Sequence, residues 1–414
     1  MKHFFKSLSF FSSLIIFKKD VDVIISYPTT FNRGPNKENI LITPLVNALK
    51  AEGLDCIVFE EGDLSRSFGE YQFSSHSVSL TFVTIFEMII RKILQIIMSS
   101  ASIEIREKVL TKKISALFFR NFSTQIVITL ISHKVALWRT CFPESHIYDY
   151  QHGIIFDGDW GYLLDGKPPK FKTENTIKTL THGKSVTNML INNDKTGFYN
   201  SSNTFDIGLQ KLEYNRPALN QANKPIKKIL FSLQDAADGT AEDLSFYLSK
   251  VECFLSEIAD FFLKNNLIIT FRHHPRSNMK FQKKFIDKYS FTATGFKNTS
   301  LESMLADHDL HLTFNSSSAI EAAYIGVPTI FLELGNPSDG DFPNLSAKYT
   351  FFKQLKYPLK NFIAHNGAEF VDLLVNIQSE GLQDSSEIVN DWVNLLYSDF
   401  DSDRFIKILK KDLN

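Results

Sequence analysis

The apolar positions of this chain fall into two patterns that alternate along it. Short β-branched runs bounded by turn residues predict buried parallel strands, and apolar residues three or four apart predict helices. Asp22-Val-Ile-Ile-Ser-Tyr27 is the first strand-like run, closed by Pro28 and the Gly34-Pro35 turn. Leu41, Leu45 and Leu49 then mark one face of a helix over 40–52, which Gly53 ends. Cys56-Ile-Val-Phe59 is the next strand, so the chain opens β–α–β, the start of an α/β sheet. Helices are expected over 82–98 and 104–121, and strands over 124–131, 146–150 and 203–208.

Residues 214–225, with two prolines, three asparagines and little apolar character, read as a linker. A second α/β half starts at Lys228-Ile-Leu-Phe-Ser232. Its first helix, over 242–265, carries Leu244, Leu248, Val251, Leu255, Ile258 and Phe262 at helical spacing. Strands are expected over 267–271, 311–314 and 329–332, with helices over 301–305, from Ala319, and over 388–396. The expected fold is α/β: two Rossmann-like domains, 1–215 and 216–414, facing across a cleft, with C-terminal helices that can cross back.

Composition bounds the function. The 414 residues suffice for two domains, and 43% apolar residues can fill their cores. A net charge of −1 lacks the basic excess of a nucleic-acid-binding domain. Cys56, Cys141 and Cys253 are odd in number and far apart, which supports neither a disulfide framework nor a zinc site and fits a reducing, cytoplasmic compartment. Lys2 and Lys6 precede an apolar stretch, Leu8 to Phe17, in the outline of a secretion signal. Lys18-Lys19-Asp20 stands where the small residues of a cleavage site would. Glu87, Arg91 and Lys92 interrupt the apolar segment 82–98, so no membrane-spanning helix is expected. From Arg91 to Arg120 seven basic residues face two acidic ones, a solvated helix face or a peripheral contact of residues 82–120 with an anionic membrane.

Ligands of such sheets bind beyond the carboxyl ends of the strands, and the polar clusters fall there. Asn315, Ser316, Ser317 and Ser318 stand between a strand and a helix start. Unpaired backbone N–H groups and hydroxyls there suit a phosphate, or the serines simply cap the helix. Glu321, one turn on, can accept from ribose hydroxyls. His273-His274-Pro275-Arg276 follows another strand and offers a fixed histidine for phosphate or cytosine, with Arg272 and Arg276 to offset negative charge. Gln234-Asp235-Ala-Ala-Asp238-Gly239 follows a third strand, and a carboxylate in that position can act as base or nucleophile. Gln151-His152-Gly153 ends a strand of the first half, where the glycine allows a tight turn and His152 can reach an acceptor or donor sugar. Asp157-Gly158-Asp159 and Asp307-His308-Asp309 with His311 invite a metal reading. The first directly follows the Gln-His-Gly turn, and the second is simpler as helix-end polarity, so no metal is expected.

Gln-His-Gly, Leu-Gln with an aspartate four places on (Gln234 to Asp238), His-Pro and a Ser-Ser-Ser helix start together resemble bacterial GT-B glycosyltransferases that use CMP-activated acidic sugars. The match is nearest to the retaining β-Kdo transferases of capsule and O-antigen assembly, over residues 145–335. The resemblance implies that His274 contacts the CMP part, that Ser316 to Ser318 hold its phosphate, and that Asp238 is the nucleophile, with Asp235 as rival. It implies a donor of CMP-Kdo, no other cofactor or metal, and a surface-glycan acceptor, lipid-linked in some cases, at the inner face of a bacterial inner membrane. Sialyl transfer and a UDP- or GDP-sugar donor are the enzymatic alternatives. A non-catalytic sugar-nucleotide-binding assembly protein is the alternative of another class.

Overall fold

A computed structural model describes the chain except for residues 1, 30–31, 33–38, 63–72, 75, 157, 211–224, 234–240, 273–291, 295–299, 315, 335–354, 360–361 and 414. Contacts divide it into two compact units, Met1–Gln210 with Tyr397–Asn414, and Lys211–Leu396.

The first unit holds β1 (Lys19–Pro28), β2 (Cys56–Glu61), β3 (Val78–Ser79), β4 (Phe122–Leu130), β5 (His146–Tyr150), β6 (Lys178–Thr181) and β7 (Thr204–Asp206). They form one parallel sheet in the order β3-β2-β1-β4-β5-β6-β7. Alternate residues of its central strands serve opposite faces. Ile24, Val127 and Ile147 join one core, and Val23, Ile25, Ile126 and Ile128 the other. The first core is largely aromatic, with Phe11, Phe59, Phe119, Phe122, Trp138 and Phe142 in mutual ring contact. Phe11 comes from the helix Lys2–Ile16, so the apolar stretch near the start of the chain is core, and Ser7 of that helix donates to the Ser79 carbonyl at 2.5 Å. The helix Ser402–Lys410 packs Phe405 and Leu409 into the other core.

The second unit holds β8 (Lys228–Ser232), β9 (Ile268–Arg272), β10 (Thr292–Thr294), β11 (Leu310–Thr313), β12 (Thr329–Leu332) and β13 (Ile363–Ala364). This sheet is also parallel, in the order β10-β9-β8-β11-β12-β13. The helix Ala241–Asn265 covers one face, with Val251, Phe254, Leu255, Ile258 and Phe262 in its core. Both sheets thus start from a central strand, wind outward, and return to add the fourth strand beside the first. The strand order reverses between β1 and β4 and between β8 and β11, and those two points are where a doubly wound sheet opens a crevice.

Candidate functional site

In the second unit, three of the polar clusters follow in sequence on strands that lie side by side. β9, β8 and β11 are neighbours and parallel, so their carboxyl ends stand side by side. Ser232 pairs in register with both Arg272 and Thr313, the last residues of the flanking strands. The runs Gln234 to Asp238, His273 to Arg276 and Asn315 to Ser318 follow these three strands directly. Gln234, Asp235, Asp238, His274, Pro275, Arg276 and Asn315 lie outside the described residues.

What is described shows how the strand ends are fixed. His311 in β11 is fully buried and bonded on both ring nitrogens, Nδ1 to Thr329 Oγ1 at 3.0 Å and Nε2 to Ser232 Oγ at 2.9 Å. Burial pushes its pKa down to about 3, so it is a neutral ring that locks three strands together at the switch point. Its Nε2 also meets the Ser318 hydroxyl at 3.3 Å. Ser318 is therefore turned inward, a positioning residue for the serine run. Ser316 Oγ accepts the Ser318 N–H at 3.2 Å, as a capping serine does, while Ser317 is exposed and its side chain makes no capping bond. Glu321 follows in the first turn of the short helix Ser318–Tyr324, and Gly326, at φ +71°, turns the chain toward β12. Arg272 ends β9, its Nη1 2.9 Å from the Met304 sulfur.

Gln151 and His152 separate sharply in the first unit. Gln151 is fully buried: its Oε1 accepts the His182 N–H at 2.7 Å and its Nε2 donates to the Gly153 carbonyl at 2.6 Å. It clamps the ends of β5 and β6, whereas His152 is exposed. Gly153 lacks a left-handed φ, and a Cβ built there meets nothing within 4 Å, so the tight turn expected from the sequence does not by itself require glycine.

The carboxyl ends of β1, β2 and β4 carry a network that sequence reading missed. Glu61, the last residue of β2, bonds His133 Nε2 at 2.5 Å and Lys134 Nζ at 2.9 Å. Lys134 also reaches Glu87 Oε2 at 2.5 Å, and His133 Nδ1 lies 3.1 Å from Ser26 Oγ. Burial opposes the charge on Glu61, but the His133 hydrogen bond and the Lys134 ammonium outweigh it and hold the carboxyl at about 2. Beside it, Asp149 Oδ1 accepts the Ser132 N–H at 2.6 Å and Oδ2 pairs with the buried Lys172, whose ammonium sits 4.2 Å from the Tyr162 ring centroid. Ile131, Ser132 and Lys134 all take positive φ, near +50°, so these bonds hold a strained loop at the first switch point. Both nitrogens of His133 are engaged, which makes its part positional.

The described members of the two candidate metal clusters have hydrogen-bond partners of their own, and Asp157 lies outside the described residues. Asp309 Oδ2 accepts the N–H groups of Lys227 and Lys228, Asp307 pairs with Lys228, and His308 Nδ1 meets the Met304 carbonyl. Asp159 Oδ1 accepts the Gly161 N–H at 2.8 Å. Among the described residues no group of three His, Cys, Asp or Glu side chains forms a metal site.

No protein-family model matches this chain, and no curated sequence is similar to it. Solved structures are similar in fold at low identity. An S. aureus MnaA–UDP co-structure superposes with a TM-score of 0.55 at 11% identity, covering 95% of this chain and 97% of that one. A UDP-GlcNAc 2-epimerase from Methanocaldococcus jannaschii gives 0.50 at 14%, over 94% and 99%. A UDP-glucosyltransferase from Polygonum tinctorium gives 0.51 at 10%, over 95% and 99%. The chain therefore has the two-Rossmann fold of the GT-B glycosyltransferases, along nearly its whole length.

Proposed function

We propose that the chain is a glycosyltransferase that moves Kdo, or a related acidic sugar, from its CMP donor to a bacterial surface glycan. The observation that carries this reading is the order of the strands: β9, β8 and β11, which the histidine, aspartate and serine runs follow in sequence, are parallel neighbours beside the second switch point. The fold is compatible but does not choose, since epimerases share it. In this reading Ser316 and Ser317 meet the donor phosphate, His274 and Pro275 the cytidine, and Arg272 or Arg276 the sugar carboxylate. Gln234 and Glu321 complete the donor contacts, and the exposed His152 is the candidate sugar or acceptor contact of its run, with Gln151 and Gly153 fixing the strand end behind it. An Asp238 carboxylate oxygen, or that of Asp235, bonds to the anomeric carbon as CMP leaves with the electron pair. The acceptor oxygen then displaces the carboxylate, and its proton passes to solvent or phosphate.

Asp238→Asn is expected to abolish transfer from CMP-Kdo while leaving CMP binding intact; undiminished turnover would remove Asp238 from the mechanism. A thermal-shift series with CMP, UDP and GDP tests the donor. Saturation at about a hundred times Kd stabilises by roughly 2.7 kcal/mol, a readable shift. A UDP donor is the second reading, favoured by the UDP in the MnaA co-structure, and a shift with UDP alone would replace CMP by it.

A further inference from the structure

We propose that the helical hairpin formed by Thr81–Ile97 and Ile103–Ile114 docks this protein on an anionic phospholipid bilayer, with the turn between the two helices as the inserted end. The helices are joined by residues 98–102 and held together by the Arg91–Glu107 pair at 2.8 Å. Their roots belong to the first unit's core, through Val83 and Glu87 on one and Leu110 and Ile114 on the other. Their far ends do not. Ile93 is 46% exposed, Ile96 78%, Ile97 74%, Ile103 71% and Ile105 51%. One exposed isoleucine needs no explanation, but five on the two sides of a single turn make that end of the hairpin apolar. Met88 and Ile89 extend it down the first helix.

The charges around this end identify its occupant. Lys92, Lys108, Lys112, Lys113 and Arg120 are exposed, while Glu87 is buried against Lys134 and Glu107 is taken up by Arg91. Glu104 is the exposed carboxylate of the region. Residues 91–120 thus carry seven basic side chains against two acidic ones in a chain whose net charge is −1. An apolar tip with exposed lysines set back from it, Lys92 and Lys108 five residues in along the two helices and Lys112 and Lys113 nearer the root, matches the layering of a bilayer: isoleucines enter the acyl boundary, and the ammonium groups stay at the lipid phosphates. Among the described residues no helix is long and apolar enough to cross a membrane, so the contact is interfacial. The inference is independent of the donor and of the chemistry proposed above.

The test is co-sedimentation of the full chain with vesicles, without any sugar nucleotide. Binding is expected to phosphatidylcholine vesicles containing phosphatidylglycerol, to be weaker to phosphatidylcholine alone, and to fall as salt is raised. Ile96→Ser/Ile97→Ser/Ile103→Ser touches only exposed side chains and is expected to keep the wild-type thermal transition while losing at least roughly tenfold in vesicle affinity. Lys108→Glu/Lys112→Glu/Lys113→Glu is expected to abolish the preference for anionic lipid. Wild-type protein that stays in the supernatant with anionic vesicles, or a serine variant that binds like wild type, overturns the proposal. So does a wild type that ignores vesicles but self-associates, with the serine variant monomeric, because the apolar end would then be a protein contact.

Discussion

Lys134 shows how much one residue can be asked to carry. It sits at φ +53°, where a side chain is strained, yet its ammonium lies between Glu61 and Glu87 with little exposure to water. Burial disfavours its charge, but the two carboxylates more than compensate and raise its pKa. Removing one partner from such a cluster costs more than the cluster contributes, because uncompensated charge stays behind. Lys134→Met keeps the length of the side chain and leaves the two carboxylates without their ammonium. The expected loss is about 3–5 kcal/mol of stability. Adding Glu61→Gln and Glu87→Gln should restore part of it, since the buried like charges are then gone. Urea denaturation of the single and triple variants checks this, and a single variant as stable as wild type would show that the carboxylates find water or protons instead.

Gly208 performs the corresponding task for a whole element. It follows β7 at φ +79°, and a Cβ there would stand 2.0 Å from the Asp399 carbonyl oxygen. Leu209 exchanges backbone bonds with Ser398 and Phe400, so this glycine lets the segment leading to the helix Ser402–Lys410 close against the edge of the first sheet. Gly208→Ala should destabilise by more than about 1 kcal/mol, because both the φ and the contact must give. Gly153→Ala, with open space at its Cβ, should stay within about 0.5 kcal/mol of wild type. Equal effects at the two glycines would contradict this account. The contrast also marks what sequence can disclose. The Val/Ile runs announced β1 and β4, the apolar Ile-Leu-Phe run announced β8, and 3.6-residue spacing announced the helix Ala241–Asn265, because local pattern follows from burial on a sheet or helix face. The two-residue strands β3 and β13 have no period to detect, and β6, Lys-Thr-Leu-Thr, hides two buried threonines behind a polar appearance. The place of Ser316 to Ser318 between a strand and a helix was legible because the three adjoin in sequence. The Ser26–His133–Glu61–Lys134–Glu87 network was not, since its members are brought together only when β1, β2, β4 and a helix pack.

Titration behaviour belongs to the molecule as a whole, because among the described residues each unit buries histidine whose charge that burial opposes, His182 in the first and His308 and His311 in the second. His182 in the first unit lies between the rings of Tyr150 and Tyr397, and its Nε2 has no hydrogen-bond partner among the described residues. Burial pushes it, like His311 in the second unit, down to about 3 from an ordinary 6.5. Between those two values the unfolded chain binds protons that the folded chain refuses, so stability falls as pH falls below about 6.5. By pH 4.5 each histidine accounts for roughly 2–3 kcal/mol of loss. Glu61 then continues the trend. Its carboxyl is held at about 2 against an ordinary 4.5, so the unfolded chain again takes up the proton first, and the loss runs on toward pH 2. Asp159 works the other way, since burial raises its pKa and protonation relieves the folded state, but His308 and Asp412, both shifted down, add to the trend of the other three. The variant His182→Phe/His311→Gln removes both titrations. Phenylalanine keeps the ring contacts, and glutamine keeps a donor and an acceptor for Ser232 and Thr329. Urea denaturation at pH 7 and pH 4.5 should show a large drop for wild type and a much smaller one for the double variant. Equal drops in the two proteins would mean that these histidines titrate in the folded state as they do in water, and that the acid sensitivity of both units has another source.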